Sequence, residues 1–271
     1  MVFNVSNQAI PTVAQVPVKS LGRWYSRSLR DTDQVKLTKA LAEEGLEVIN
    51  KTQLQGKYKV WIVQFMLIPK LLWPLQVYEI GLSAVKAIKK KIGKYTRKWL
   101  GLPPGLASVA LYSQSAKLRL PLKALTEEFQ VEKVRLQMML NHSQDQAVRD
   151  TKAQLRTGRK WKANEATEKA EEAAKFKEIL GATQTGKHGL GYGRERRIWW
   201  SKASPAEKRE LVIQEVKHEA EAKRVQAAVQ QGQQGQWTTW EEVIQRSLSW
   251  SDIWQLTPFR LSFLTRAVHE Q

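Results

Sequence analysis

Residues 82–100 read LSAVKAIKKKIGKYTRKWL, and this stretch predicts an amphipathic helix from about Ser83 to Leu100. Apolar side chains recur in it at intervals of three or four, which places them on one face of a helix. They are Leu82, Val85, Ile88, Ile92, Tyr95 and Trp99. The next five residues, GLPPG at 101–105, combine glycine with proline and predict a sharp end to the helix.

The other faces of this predicted helix are basic. Its cations are Lys86, Lys89, Lys90, Lys91, Lys94, Arg97 and Lys98, with no acidic residue among them. Like charges four residues apart destabilise a helix, so ordinary solvated faces mix glutamate with lysine. A surface that neutralises several phosphates gains salt-sensitive, sequence-independent affinity for nucleic acid. The pattern therefore favours a nucleic-acid contact over a solvated face or an anionic membrane surface.

The charge of the whole chain supports the same interpretation. The 271 residues include 44 Lys and Arg against 26 Asp and Glu, which gives a net charge of +18. Residues 51–123 hold 14 of the basic side chains and one acidic residue, Glu79, whereas the flanking blocks are nearly balanced. A field of this size attracts polyanions. Because the excess is concentrated in one block, it favours a binding surface over general solubilisation.

Composition also argues against several kinds of site. The chain has no cysteine, which rules out disulfides and thiolate metal sites within it. Its four histidines lie far apart, and no nucleophile with a base or carboxylate cluster suited to Mg²⁺ occurs. We therefore expect no catalytic residue and no metal site. The N-terminal residues do not resemble a signal peptide, so an intracellular protein, nuclear or cytoplasmic, is expected rather than a secreted one.

The most apolar segment is Val60–Ile80, VWIVQFMLIPKLLWPLQVYEI, which invites interpretation as a membrane span. It is interrupted by Gln64, Pro69, Lys70, Pro74 and Gln76. Its cleanest apolar run is too short to cross about 30 Å of hydrocarbon. We expect a buried helix from about Leu54 to Ile68, broken at the prolines and ending at Pro69, and no membrane partner.

The remaining patterns predict a mainly α fold with a short N-terminal β-hairpin. In residues 1–25, two short extended runs flank Ala9–Thr12 and indicate the hairpin. Asp31 and Asp33 sit at a helix start and are interpreted as capping residues. Further helices are expected around 125–140, over 164–180, from Ser204 to about Gln231, and from Thr257, with capping boxes at Ser204–Glu207 and Thr238–Glu241.

Two other basic segments are candidate contacts. Residues 157–163, TGRKWKA, form a predicted loop that exposes Arg159 and Lys160. Residues 181–203 are Gly-rich, basic and predicted to be irregular. Residues 181–188 nearly fit a phosphate loop but end in His188 instead of Ser or Thr, so that interpretation is rejected.

Tryptophan is abundant, with 11 residues. Trp199 and Trp200 follow Arg196 and Arg197 and are candidates for base stacking, although a core role is the alternative. Five other tryptophans are expected in the core. They are Trp61, Trp73, Trp99, Trp250 and Trp254.

Short motifs, in order along the chain, resemble reverse transcriptases of non-LTR (LINE-like) retrotransposons, in the region just after the catalytic palm. They are IPTV (10–13), PVKSLGRWY (17–25), INK (49–51), GKYKVW (56–61), WPL (73–75), RKWLGLP (97–103), LPL (120–122), TGRKW (157–161) and GQW (235–237). The resemblance covers nearly the whole chain. Each motif alone is weak, and the order in which they follow one another carries the resemblance.

The resemblance implies a division into parts. Residues 1–28 would be a post-palm β-hairpin remnant in which Lys19, Leu21 and Gly22 help to hold the primer end. Residues 29–105 would be a basic, thumb-like helical domain that clamps the template–primer duplex. Residues 106–163 would be a helical connection with a basic loop, and residues 164–271 a helical, Trp-rich linker region.

Two features of the family are missing from the sequence. The Tyr/Phe-x-Asp-Asp motif of the palm does not occur, and neither does the Cys/His zinc element. Polymerase chemistry needs carboxylates that hold two Mg²⁺ ions, which the missing palm would bind. The resemblance therefore implies a fragment or partial copy that has no activity of its own and no cofactor, and whose partner is RNA–DNA duplex or RNA. Two alternatives remain: a subunit that supports RNA-directed DNA polymerase activity with a separate palm, or a Trp-rich protein-interaction scaffold.

The sequence thus predicts a set of nucleic-acid-binding residues. They are Lys19, Arg23, Lys86, Lys89, Lys90, Lys91, Lys94, Arg97, Lys98, Arg159, Lys160, Arg196 and Arg197, with Trp199 and Trp200 as possible stacking residues.

Overall fold

A computed structural model describes residues 4–5, 8–9, 17–20, 22–27, 30–185, 199–230 and 245–269. Over these ranges the chain is mainly helical and begins with short antiparallel strands. This confirms the predicted mainly α class with a short N-terminal hairpin.

The N-terminal strands pair locally. Strand β1 (Asn4–Val5) pairs with β2 (Gln8–Ala9), and β3 (Val18–Ser20) pairs with β4 (Arg23–Tyr25). The predicted pairing of two runs across Ala9–Thr12 is therefore wrong. Gly22 allows β3 to pair with β4, the next strand in the sequence. Its φ of +82° lies in the left-handed region that a tight turn requires and that glycine adopts at little cost.

Four helical segments follow the strands. They are α1 (Thr32–Lys51), α2 (Gly56–Ile62), α3 (Ile68–Val77) and α4 (Leu82–Trp99), with a π-helical turn over Val63–Leu67 between α2 and α3. Helix α4 confirms its predicted position, and α1 begins at the predicted helix start beside Asp31. Helix α4 ends at Trp99, and Gly101 follows two residues later with a φ of +64°, which is typical of the glycine just after a helix end.

The predicted end of the apolar helix at Pro69 is wrong, because the chain stays helical from Gly56 to Val77. In the π turn, the Ile68 N–H donates to the carbonyl of Val63, five residues back. Pro69, which has no N–H, comes directly after this change of hydrogen-bond register, at the start of α3. The wider turn thus accommodates a proline that would otherwise break the helix.

Shorter elements separate the helices of the second half. They are α5 (Val109–Tyr112), β5 (Leu118–Arg119), α6 (Leu125–Asn141), α7 (Gln146–Asp150), α8 (Ala163–Thr185), a 3₁₀ turn (Trp200–Lys202), α9 (Pro205–Val229), β6 (Arg246–Ser247), α10 (Trp250–Gln255) and α11 (Pro258–His269). The capping box at Ser204 and Glu207 is confirmed at the start of α9. The second predicted box, Thr238–Glu241, lies outside the described residues. Strands β5 and β6 pair in parallel, which the sequence did not predict.

In the described part of the chain, three large clusters of buried side chains and a small one around Val109 form the core. The first joins α1, α2, α3 and α4 to the start of α6, through residues such as Leu46, Leu71 and Val85. The second joins residues 100–124 to α10 and α11. The third joins the later turns of α6 to α8 and α9 through Val134 and Ile213. Helix α6 contributes to the first and third clusters, so it connects the basic N-terminal helices to the helical hairpin of α8 and α9.

The segment Gly56–Val77 is the single described helix that is long and apolar enough to cross a membrane. That test considers length and composition alone, and a helix in the core of a soluble protein passes it too. Here the helix contributes Val63, Leu67 and Leu71 to the first core cluster.

Candidate nucleic-acid interface

Helix α4 presents a row of lysines to solvent. Val85, Ile88 and Ile92 are buried in the first core cluster. Lysines at every fourth position follow the opposite side, and all of them are exposed. They are Lys86, Lys90, Lys94 and Lys98, referred to below as the lysine row. Residues four apart form one inclined row on a helix surface, so the four ammonium groups line up along α4.

Two other cations of this helix point toward protein groups. Lys91 forms an ion pair with Glu43 of α1. Lys89 is half-buried, and its Nζ lies 5.3 Å from the centre of the Tyr112 ring. Burial, followed by the positive charges of Arg224, Arg97 and Lys86, lowers the pKa of Lys89 to about 8. Lys89 therefore contributes to packing more than to the exposed charge.

Arg97 is also engaged inside the protein. Its Nε donates to the carbonyl of Leu106 at 2.8 Å, and burial lowers its pKa. Gly93, one turn earlier, leaves room for the guanidinium, since a Cβ there would lie 3.0 Å from Arg97 Nη1. The seven predicted cations of α4 thus separate into the lysine row and three residues that already contact protein groups.

The predicted basic loop lies at the start of α4. The Leu82 N–H donates to the carbonyl of Thr157 at 3.2 Å, and the Thr157 hydroxyl donates to the carbonyl of Trp161 at 2.9 Å. Arg159 and Lys160 between them are exposed. The fold therefore brings these two cations beside the first turn of the helix that carries the lysine row.

In the hairpin, Lys19 is exposed, and its Nζ lies 5.8 Å from the centre of the Trp24 ring. Arg23 has protein partners instead. Its Nη2 donates to both carboxylate oxygens of Asp31, at 3.0 and 3.2 Å, and its Nη1 donates to the carbonyl of Val77 at 3.2 Å. Arg23 therefore fastens the hairpin to the ends of two helices.

This contact corrects the interpretation of Asp31. Its side chain makes no capping hydrogen bond at the start of α1. The carboxylate instead pairs with Arg23 and accepts from the backbone N–H of Glu79 at 2.6 Å. The partners lie in other elements, so the tertiary contact replaces the local one.

The candidate stacking residues differ from each other. Trp200 packs against the third core cluster, and the Nζ atoms of Lys175 and Lys208 lie 5.6 and 5.5 Å from its ring centre. Both lysines occupy positions where a base would stack. Trp199 is 39% exposed. The neighbouring Arg196 and Arg197 lie outside the described residues.

Two of the five tryptophans expected in the core are exposed, so that prediction is wrong for them. Trp61 is 37% and Trp73 is 57% exposed. Trp99, Trp250 and Trp254 are half-buried. Trp99 and Trp250 pack on the core, and the Trp99 indole N–H donates to the Asn50 side chain at 3.0 Å.

Trp61 is part of an exposed surface that the sequence did not predict. Five rings meet where α2 and the π turn face α10. They belong to Tyr58, Trp61, Phe65, Trp250 and Trp254, referred to below as the aromatic face. The spacing of 58, 61 and 65 is a helical signal, but the contact with α10 joins elements that are far apart in the sequence and has no local signature.

The described part of the chain offers little for metal chemistry. No group of three or more His, Asp or Glu side chains that could hold a metal ion occurs there. A cavity of about 580 Å³ lies between the end of α3 and α6. In its wall the Lys133 ammonium donates to the carbonyls of Gln76 and Tyr78, at 2.7 and 3.2 Å, and burial lowers the Lys133 pKa to about 8. These bonds satisfy carbonyls near the end of α3, which is a structural role.

No family model, no curated protein and no solved structure matches this chain. The resemblance to non-LTR reverse transcriptases therefore rests on the short motifs quoted above and stays a prediction.

Proposed function

We propose that this protein binds nucleic acid without catalysing a reaction, and that the lysine row of α4 holds the phosphate backbone. One observation carries the proposal. Within the described part of the chain, none of the four lysines of the row pairs with a carboxylate, whereas Lys91 beside them does. Aligned like charges destabilise a helix, and an anionic ligand would offset that cost.

The dimensions of the row suit a duplex. At a rise of about 1.5 Å per residue, the twelve steps from Lys86 to Lys98 span about 18 Å. A duplex presents about ten phosphates over that length, so each lysine can reach one. The exposed Arg159 and Lys160 would extend the contact at the start of α4. Backbone contacts of this kind give affinity without sequence preference.

The resemblance to the post-palm region of non-LTR reverse transcriptases supports a particular ligand. A thumb-like domain clamps a template–primer duplex, so RNA–DNA hybrid is the duplex that we propose. Support of RNA-directed DNA polymerase activity with a separate palm is the alternative that follows from the same resemblance. Primer extension by a palm fragment, with and without this chain, tests that alternative.

A filter-binding titration against salt tests the main proposal. The protein should bind an RNA–DNA hybrid more weakly as salt rises, with a steep linear dependence of log affinity on log salt. Changing all four lysines of the row to Gln should reduce the slope by about 3 to 4, because each lysine neutralises one phosphate and contributes about 0.9 to the slope. The matched control also loses four charges and changes Lys162, Lys169, Lys177 and Lys223 to Gln, because these lysines are exposed but each pairs with a glutamate.

The two variants separate a specific contact from general charge. The control should keep most of the wild-type slope. An unchanged slope in the quadruple variant, or no binding by the wild type at low salt, would rule the proposal out. Circular dichroism of both variants checks that α4 still folds.

A further inference from the structure

The aromatic face is a continuous group of rings. Tyr58 stacks on Trp254 with centroids 5.0 Å apart and planes 17° apart. Trp61 lies 5.1 Å from Phe65 and 6.4 Å from Trp254, and Trp250 lies 5.6 Å from Phe65 and 5.5 Å from Trp254. Each ring therefore contacts at least one other, and the group spans two elements that are distant in sequence.

Three of the rings, those of Tyr58, Trp61 and Phe65, lie on the outer side of the helix that carries them. Val60 and Val63 turn into the core, whereas Tyr58 is 41% and Phe65 is 51% exposed, beside the similarly exposed Trp61. Contiguous aromatic surface in contact with water is uncommon unless it binds something. The arrangement therefore points to a ligand with flat, apolar groups.

The charges around the face identify the chemistry of that ligand. The sequence holds no acidic residue between Lys51 and Glu79, so the whole helix that carries Tyr58, Trp61 and Phe65 is free of carboxylates. Lys57 is buried, and its Nζ donates to the carbonyls of Trp254 and Leu256, at 2.7 and 3.0 Å, and lies 5.6 Å from the centre of the Tyr58 ring. The ammonium adds a positive field at the edge of the aromatic face, but two of its hydrogen bonds are already made to protein carbonyls.

The acidic residue of α10 does not change this balance. Trp250 and Trp254 are four residues apart and share one side of the helix, whereas Asp252 between them lies on the other side. The Asp252 carboxylate caps the helix with Ser249. Aromatic rings beside positive charge suit nucleobases carried on a phosphate chain.

The helix of the aromatic face also begins at the end of α4. Gly56, at the start of α2, packs so closely on the end of α4 that a Cβ would lie 1.7 Å from the Trp99 carbonyl oxygen. Lys98, the last lysine of the row, precedes Trp99, and Tyr58 lies two residues after Gly56. The helix that carries Tyr58, Trp61 and Phe65 therefore starts at the C-terminal end of the helix that carries the lysine row.

We propose that the aromatic face binds single-stranded nucleic acid by stacking bases on its exposed rings, in addition to the backbone contact of the lysine row. The inference rests on the proposed function and adds a preference for unpaired nucleotides. Base–aromatic stacking tolerates any sequence, because every base has a π face. The same face could instead dock a protein, but the positive edge and the absence of carboxylates on its helix favour a polyanion with rings.

The test compares two single strands that differ in their bases alone. One is an oligothymidylate, and the other has the same length with abasic sites in its central half. Both keep every phosphate, so backbone binding is equal. The full chain should bind the intact strand about 5- to 100-fold more tightly. Equal affinity for the two strands would overturn the proposal while leaving backbone binding intact.

Substitutions on the aromatic face test whether the preference for the intact strand arises there. Phe65→Leu and the double variant Trp61→Leu with Phe65→Leu should lose most of the preference for the intact strand and keep their affinity for RNA–DNA duplex. Phe176→Leu on α8, which is 59% exposed, is the matched control and should retain the preference. A preference that survives the double variant contradicts the assignment of this face.

The outcomes also separate this inference from the function on which it rests. Removing the lysine row should weaken binding to duplex and to both single strands alike. Failure of the wild type to bind any of the three ligands overturns both proposals. The wild type can also be compared with the Phe65 variants for binding to anionic phosphatidylserine vesicles and to proteins from nuclease-treated extract. If the wild type shows no base preference and the variants bind either of these ligands more weakly, the proposal is overturned and the face binds another partner.

Discussion

The ammonium of Lys89 lies 5.3 Å above the ring of Tyr112, on the side of α4 that packs against the rest of the protein. Tyr112 is buried, and burial raises the pKa of its hydroxyl to about 12. Lys90, the next residue, is exposed and belongs to the lysine row. Two adjacent lysines of one basic stretch therefore have different environments, and the difference can be measured.

Changing Lys90 to Gln should weaken duplex binding and lower the salt slope by about 0.9, the value of one neutralised phosphate. Changing Lys89 to Gln should leave the slope unchanged, because its charge does not face the solvent side of α4. The two single variants are matched in chemistry and differ by one position. An equal reduction of the slope for both variants in filter binding would contradict the separation of Lys89 from the row.

Arg224 should be required for stability. It is buried on α9, donates to the carbonyl of Tyr112 at 2.7 Å, and pairs with Glu221 at 2.5 Å and with Glu127 of α6. Arg224→Met leaves these carboxylates without their buried partner, which should cost about 3 kcal/mol of unfolding free energy. Urea unfolding measures this decrease in stability.

The control for this prediction changes Glu127, the partner that loses its ion pair. Glu221 also accepts from the backbone N–H of Gln114 and of Ser115, at 2.9 and 3.0 Å, so it keeps hydrogen-bond donors in the variant. Glu127→Gln in the Arg224→Met background should recover part of the stability, since the group left without its partner is then neutral. No recovery would place the cost elsewhere than in the unpaired Glu127.

Gly56→Ala should destabilise the junction of α2 with α4. The added Cβ would meet the Trp99 carbonyl oxygen at 1.7 Å, which requires a backbone shift and should cost about 2 kcal/mol or more. Gly105→Ala is the control, because a Cβ there meets nothing within 4 Å. Thermal melts should show a lower Tm for the first variant and little change for the second.

Stability should fall in mild acid because of His269. This side chain is buried at the end of α11, and burial lowers its pKa from 6.5 to about 4. Between these values the unfolded chain binds a proton that the folded chain does not, so unfolding becomes easier as the pH falls. The contribution is fully present above pH 6.5, and up to about 3 kcal/mol is lost by pH 4.

Comparison with a variant isolates the histidine from the carboxylates that titrate in the same range. His269→Leu should show a shallower decrease of unfolding free energy between pH 7 and 4 than the wild type. Parallel curves for the two proteins would show that His269 does not control the acid response.

The basic helix and its limits could be predicted because their causes are local. The spacing of Val85, Ile88 and Ile92 defines the buried side within one or two turns, and Gly101 ends the helix by its own backbone freedom. The capping box of Ser204 and Glu207 likewise involves four consecutive residues. Such features do not depend on what the helix later packs against.

The wrong predictions concern residues whose structure depends on distant elements. Pro69 signals the end of a helix, but the π turn before it keeps the chain helical as it packs in the first core cluster. Asp31 has the residue type of a cap, yet Arg23 from the hairpin is its partner. In both cases a contact with a distant element outweighs a local preference.

Residue patterns alone were enough to define the mainly helical class, the position of the basic helix and the concentration of charge around it. Which cations stay free and which rings meet depended on the packing of distant elements. Lys86, Lys90, Lys94 and Lys98 remain in solvent, whereas Arg97 reaches Leu106 and Lys89 reaches Tyr112. This is because periodicity fixes the side of a helix on which a residue lies, while its burial and its partners are set by the elements that fold against that side.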